Sequence, residues 1–335
     1  METIKVLVAR SFPKELMEKL SNVSPRLSIT VREASSAAEL ADLMETVEVL
    51  YTGQVLPHPQ DAPRLVQLHW AGIDHLKDEP LYTDSDVVFT TASGIHAVNV
   101  AEYVMAQILA FSHHLPRMFK DKLDATWPED RWARYVPKEL RGAVLGIIGY
   151  GSIGREVARL GQAFGMKVLA VKRNLRRLAD DSYILPGTGD PEAEIPERIY
   201  PVQALHSMLH ECDYVVLTVP LTEETRHLVD AAALAAMKPT AFLVNVSRGG
   251  VVDEKALTTA LEKGNLAGAA LDVFGTEPLP PESLLWKLPN VLISPHVSGF
   301  TPYYDERATE LFAENLRRFV VGEPLLNVVD RARGY

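Results

Sequence analysis

The stretch AVLGIIGYGSIGREVARLGQAFGMKVLAVKRN, residues 143–174, constrains this chain more than any other. An apolar strand signal, AVLGII, runs into a glycine-rich turn. An amphipathic helix signal, REVARLGQAF, and a second strand signal, KVLAV, follow. The turn places Gly149, Gly151 and Gly154 in the pattern G-x-G-x-x-G. The first glycine permits a tight turn, the second lets the backbone approach a pyrophosphate, and the third lets helix and strand pack closely. The unpaired N–H groups of Ser152 and Ile153 at the helix start then form an anion site. A bare G-x-G-x-x-G is a weak signal, but here strand, turn, helix and second strand stand in order, which marks a dinucleotide site.

The second strand ends in Lys172, Arg173 and Asn174, where an acid that accepts hydrogen bonds from a ribose is expected. A charged Lys or Arg cannot accept a hydrogen bond. Both suit a 2′-phosphate, which Arg can hold bidentately, and Arg176 and Arg177 add to the field. The expectation is NADP(H) as preferred cofactor with NAD(H) possible. Arg173 is the residue expected on the phosphate. The bland alternative is a solvated basic turn with NAD held by backbone groups.

With 335 residues the chain is too long for one ordinary core, so two domains are expected. Short apolar runs alternate with amphipathic segments throughout, the pattern of parallel sheets covered by helices. Strands are expected near IKVLVA, EVLYTG, VQLHWAG, VVFTT, YVVLTVP, AFLVNVS, LAGAALDVF and VLISP. A long, largely buried helix is expected over His96–Leu115. The polar stretch 121–140, with Trp and Pro, reads as a domain junction. Residues 178–200, rich in Pro, Gly and acid, read as an unusually long surface loop. Net charge is −10, which disfavours nucleic acid and anionic membrane as partners. No apolar run reaches the roughly 18 residues of a membrane span, and the N-terminus lacks the features of a signal peptide. The single Cys212 can form no internal disulfide, so a cytoplasmic location is expected. No metal site is expected.

Three further stretches carry chemistry. LVNVSRGGVVDE puts Arg248 just after an apolar strand and before two glycines; AALDVFGTEPLP carries Asp272 and Glu277; VLISPHVSG carries His296. Ligands of open α/β sheets bind outside the carboxyl ends of the strands, so these residues, each after a separate strand, face one ligand region.

Taken jointly and in order, GIIGYGSIG, TVPLTEET, VNVSRGGVVDE, ALDVFGTEPLP, SPHVSG and ENLRRFVVGEPLLNVV resemble the D-isomer-specific 2-hydroxyacid dehydrogenases over nearly the whole chain. The resemblance implies two doubly wound parallel-sheet domains. A Rossmann nucleotide domain, 99–299, would be inserted in a flavodoxin-like substrate domain made of 1–98 and 300–335, with substrate in the crevice between them. Arg248 would bind the carboxylate and carbonyl of a 2-keto acid. His296 would exchange a proton with the substrate oxygen as hydride moves. Glu277 would orient the imidazole and favour its protonated form. Val219, Pro220, Thr225, Val246, Asp272 and Ser298 would meet the cofactor, and Asp272 its carboxamide. HWAGIDH would supply a substrate loop in which Trp70, Ala71, Gly72 and Ile73 line the pocket, with Tyr51–Gln54 as a second wall. A glyoxylate/hydroxypyruvate reductase or a reductase of larger 2-keto acids, forming a homodimer, is the expectation. Trp132 is the candidate to reach a neighbouring subunit's site, and the early end of the chain argues against a C-terminal regulatory domain. The other class kept open is a non-catalytic, corepressor-like protein that senses NAD(P)(H).

Overall fold

Nearly every apolar run becomes a parallel strand, in two separate sheets. The computed structural model describes residues 3–53, 56–76, 78–180 and 182–334. It divides into one unit of Met1–Ile95, Asp181–Leu185 and Thr301–Tyr335, and a second of His96–Asp180 and Pro186–Phe300.

The first unit holds β1 (Ile4–Val8), β2 (Leu27–Val31), β3 (Val49–Thr52), β4 (Leu65–Leu68) and β5 (Val88–Thr90). All pair in parallel, in the order β2-β1-β3-β4-β5, the flavodoxin-like arrangement. Every residue of β3 and β4 is buried, as expected of strands covered on both faces. The helix Tyr304–Val321 belongs to this unit because its inward stripe says so: Phe312 and Leu316 pack among Ile4, Val6, Leu20 and Tyr51. Burial of each such side chain is worth about 1.5–3 kcal/mol. Acids Asp305 and Glu306 open the helix, and Gly322, at φ 75°, closes it in the left-handed conformation.

The second unit holds β6 (Val144–Ile148), β7 (Lys167–Val171), β8 (Arg198–Tyr200), β9 (Tyr214–Leu217), β10 (Phe242–Asn245), β11 (Gly268–Leu271) and β12 (Val291–Ile293). The order is β12-β11-β10-β9-β6-β7-β8, again all parallel. The order of strand addition reverses between β6 and β9, the switch point of a Rossmann sheet: β7 and β8 extend the sheet to one side of β6, and β9 to β12 to the other. The helix Ala97–Ser112 buries Val100, Ala101, Val104, Met105 and Ile108 at helical spacing against Val157 and Ala158 of the helix Ser152–Ala163.

Several expectations need correction. β2 and β8, both at sheet edges, are absent from the expected strands. The long helix stops at Ser112, because His114 takes φ 56° and starts a separate helix, Leu115–Leu123. The polar stretch 121–140 lies inside the second unit, whose border is Ile95/His96. Residues 178–200 are not a simple solvated loop. They end in β8, and their middle is bolted to the helix after the glycine turn. Arg155, 1% exposed, donates to the carbonyls of Leu178, Asp190 and Pro191 and pairs with Asp180 at 3.3 Å. The Tyr150 hydroxyl donates to Asp190 Oδ2 at 2.5 Å, and the Gly189 N–H to Glu156 Oε2 at 2.6 Å. Acids and prolines here serve burial of an arginine, which composition does not reveal. Among the described residues no helix is long and apolar enough to cross a membrane.

Candidate active site

The glycine turn has the shape its spacing implies. Gly149 sits at φ +103°, and a Cβ there would come 2.8 Å from Val219 Cγ1 and 3.0 Å from the Thr218 carbonyl carbon. Gly154 lies so close to the Gly149 carbonyl that a Cβ would collide with it. Gly151, by contrast, looks into open space with nothing within 4 Å. It precedes the helix Ser152–Ala163, whose first N–H groups have no intrahelical acceptor. Open space over a helix N-terminus, with the turn held tight beneath it, fits a dinucleotide pyrophosphate.

Lys172 and Arg173 diverge. Lys172 Nζ donates to the Tyr150 carbonyl at 3.1 Å, inside the glycine turn. Arg173 Nη1 meets Glu224 Oε2 at 3.2 Å. Asn174 Oδ1 accepts the Arg176 N–H at 2.9 Å. Thr225 Oγ1 donates to the Pro220 carbonyl at 2.6 Å and accepts the Thr222 N–H at 2.8 Å, which shapes the loop carrying Glu224. Val246 is buried in the core beside β10, whereas Pro220 is exposed.

Arg248, Glu277 and His296 follow three adjacent strands. Asn245, Leu271 and Ile293 stand in register across β10, β11 and β12, so the residues beyond them leave the sheet along one edge. After β10, Asn245 Oδ1 accepts from the Ser247 hydroxyl at 2.6 Å and its Nδ2 donates to the Arg248 carbonyl at 3.2 Å. Arg248 Nη1 donates to the Ser247 carbonyl at 2.8 Å. Gly249 abuts the backbone of Phe274 and Gly275 with no room for a Cβ, which locks the arginine turn to the loop carrying Glu277. Glu277 Oε1 accepts the Phe274 N–H at 2.9 Å, and Oε2 lies 2.7 Å from His296 Nδ1. Both side chains are partly exposed.

Asp272 is fully buried. Its Oδ1 accepts from the Ser294 hydroxyl at 2.6 Å and the Val297 N–H at 2.9 Å, its Oδ2 from the Ser298 N–H at 3.0 Å, and its carbonyl from the His296 N–H at 2.9 Å. One carboxylate thus organises the whole turn 294–298 and permits His296 its φ of 54°. Side chains the motifs did not single out complete the support. Tyr103 bonds Ser294 through their hydroxyls, and Asn99 Nδ2 donates to the Ser298 carbonyl at 2.7 Å. Asn99 Oδ1 remains a buried acceptor with no hydrogen-bond partner among the described residues. Ser294 lies in SPHVSG and was within reach of motif reading; Asn99 and Tyr103 carry no local signal.

In the first unit, the Trp70 ring packs edge-on against His69, 4.7 Å between centroids, and at a tilt against Tyr304, 5.8 Å away. Its Nε1 is buried without a hydrogen-bond partner among the described residues. Ala71 and Gly72 are half-buried. Ile73 departs from the expectation of a pocket wall, since it is 4% exposed and belongs to the core with Leu68 and Leu76. Gln54 lies outside the described residues.

A switch-point glycine turn, with an acid–imidazole pair and an arginine beyond neighbouring strands of the same sheet, is the framework of a dinucleotide-dependent oxidoreductase. A family model for the NAD binding domain of D-isomer specific 2-hydroxyacid dehydrogenase matches residues 105–298. The (S)-sulfolactate dehydrogenase of Chromohalobacter salexigens is 36% identical over 247 residues, 74% of this chain and 74% of its own. The glyoxylate reductase of Korarchaeum cryptofilum is 36% identical over 270 residues, 80% of this chain and 76% of its own. The crystal structure of a D-isomer specific 2-hydroxyacid dehydrogenase from Xanthobacter autotrophicus, in complex with NADPH and MES, aligns at TM-score 0.78 and 29% identity over 100% of both chains. The chain belongs to the D-isomer specific 2-hydroxyacid dehydrogenase family, NAD(P)-dependent oxidoreductases of 2-hydroxyacids.

Proposed function

We propose that this protein reduces a small 2-keto acid to the 2-hydroxy acid, and runs the reverse oxidation, with His296 as the acid–base group. The observation that carries the reading is the 2.7 Å contact between Glu277 Oε2 and His296 Nδ1. With Nδ1 engaged, Nε2 is the nitrogen left to protonate the carbonyl oxygen of a substrate. The dinucleotide, when bound, supplies the hydride to C2. Negative charge growing on the oxygen is met by the Nε2 proton and by the Arg248 guanidinium, which also holds the substrate carboxylate in its planar fork. Glu277, fixed at its other oxygen by the Phe274 N–H, keeps the ring aimed. A cofactor sensor needs none of these three side chains, and all three are present.

Gly149, Gly151, Ser152, Ile153 and Gly154 would cradle the pyrophosphate, with Val219, Pro220, Thr225, Val246 and Ser298 around the cofactor; Asp272, expected at the carboxamide, is instead fully buried behind the 294–298 turn that it holds. The second unit thereby acts as the dinucleotide domain, and the first, through Trp70, Ala71 and Gly72, as the substrate domain. Arg173 beyond β7 supports preference for the phosphorylated cofactor, and so does the NADPH bound by the Xanthobacter relative. The glyoxylate reductase and sulfolactate dehydrogenase among the relatives support short 2-keto acids as the substrate class. Trp127 and Trp132, 82% and 80% exposed, with Phe119, Leu123 and Val136 also exposed, put several apolar side chains on the surface of the second unit, which supports a homodimer through that unit. The test is steady-state oxidation of NADPH and NADH with glyoxylate, hydroxypyruvate, phenylpyruvate and branched 2-keto acids. Turnover of at least one with NADPH supports the function; cofactor binding without turnover of any contradicts it.

A further inference from the structure

We infer that Glu224 is a specificity-determining residue of the dinucleotide site, setting how strongly Arg173 discriminates between phosphorylated and unphosphorylated cofactor. The inference rests on the reading that Arg173 meets the 2′-phosphate. In the sheet, β6 lies between β9 and β7, with Ile148 in register with Leu217 on one side and Val171 on the other. The glycine turn leaves β6; Glu224 stands in the loop leaving β9, and Arg173 just beyond β7. Their contact at 3.2 Å therefore crosses the mouth of the glycine turn, at the switch point where a dinucleotide enters.

The two cations after β7 are not equivalent here. Lys172 is turned onto the Tyr150 carbonyl, while Arg173 lies against the acid. The Glu224 backbone is set by the Thr222–Thr225 turn, in which the Thr225 hydroxyl bridges the Pro220 carbonyl and the Thr222 N–H. Side-chain exposures of 40% for Arg173 and 71% for Glu224 make this a weak, exchangeable ion pair. A 2′-phosphate on Arg173 lies beside the carboxylate already at Nη1, so two like charges share one cation. An unphosphorylated ribose offers hydroxyl donors instead, and a carboxylate accepts them. Glu224 thus brings from the β9 loop the acceptor that β7 lacks, and moderates a site that Arg173 alone would tilt to NADPH.

The experiment compares kcat/KM for NADPH and NADH in Glu224→Gln, Arg173→Ala and the double variant, at low and high salt. The ratio is the readout, because a merely structural loss lowers both cofactors alike. In Glu224→Gln the NADPH-to-NADH ratio is expected to rise roughly three- to tenfold at low salt, with a smaller rise at high salt. The rise should vanish in the double variant. An unchanged or lower ratio in Glu224→Gln, with Arg173→Ala still losing NADPH, overturns the inference and leaves the cofactor reading standing. An unchanged ratio in Arg173→Ala overturns the cofactor reading and the inference together.

Discussion

Glu277 grips His296 with one carboxylate oxygen and the backbone with the other: Oε2 lies 2.7 Å from Nδ1, and Oε1 accepts the Phe274 N–H at 2.9 Å. The carboxylate cannot rotate away without losing one of these bonds. Glu277→Gln keeps the shape but removes the charge, and the amide presents a donor where an acceptor is needed. We expect kcat to fall by up to about 10²-fold with a smaller change in KM, since the residue works through the imidazole. Steady-state kinetics at saturating NADPH measures it. A defect confined to KM would place Glu277 in substrate binding instead.

Gly249 sets Arg248 by having no side chain. A methyl group there runs into the Phe274 and Gly275 backbone, which cannot yield as a flexible side chain can. Gly249→Ala should cost about 1–3 kcal/mol or more of stability and displace the arginine, so both the denaturant midpoint and kcat/KM should drop. Unchanged unfolding would show that the loop carrying Glu277 moves freely.

Arg155 anchors Leu178, Asp180, Asp190 and Pro191 within the second unit. It is a buried cation that donates to three carbonyls and stands in ion-pair contact with Asp180. Arg155→Met retains much of the volume and strips the loop of its donors, and a loss on the order of 3–5 kcal/mol is expected for breaking a buried charged network. Limited proteolysis should then cut first around the stretch 186–195. A loop as resistant as in the wild type contradicts the anchoring.

His69 gives the first unit an acid-sensitive point. It is 1% exposed, with Nδ1 2.7 Å from the Tyr51 hydroxyl. Burial, aided by the Arg10 guanidinium, pushes its pKa down from 6.5 to about 3. The Asp305 carboxylate 3.7 Å from Nε2 is therefore not an ion-pair partner at neutral pH. Between pH 6.5 and about 3 the unfolded chain binds a proton that the folded chain refuses. The stability involved is complete above pH 6.5 and is lost as pH falls toward 3. His69→Asn, which keeps an acceptor for Tyr51, should flatten the fall of unfolding free energy over that window in urea titrations. Equal slopes in the two proteins would rule this out.

What was legible in the sequence was local. Gly149, Gly151 and Gly154 announce a turn because each glycine answers a backbone need at its own position. Arg248 and His296 stand three residues beyond the strands ending at Asn245 and Ile293, and Glu277 six beyond Leu271, so their shared edge can be read once the strands are. β2 and β8 escaped because edge strands of three to five residues expose too many side chains to show a buried run. The 178–200 segment misled because its acids and prolines resemble those of a solvated loop, while the reason for its order, Arg155, lies in a helix upstream. The Arg173–Glu224 contact joins loops from two non-adjacent strands, and no periodicity reports such a pairing.

The central claim is that His296 moves the proton. Turnover of a 2-keto acid by His296→Gln, with NADPH binding followed independently by fluorescence titration, tests it most directly. We predict that kcat falls by about 10²–10⁴-fold while NADPH still binds; turnover within a few-fold of the wild type would contradict the account.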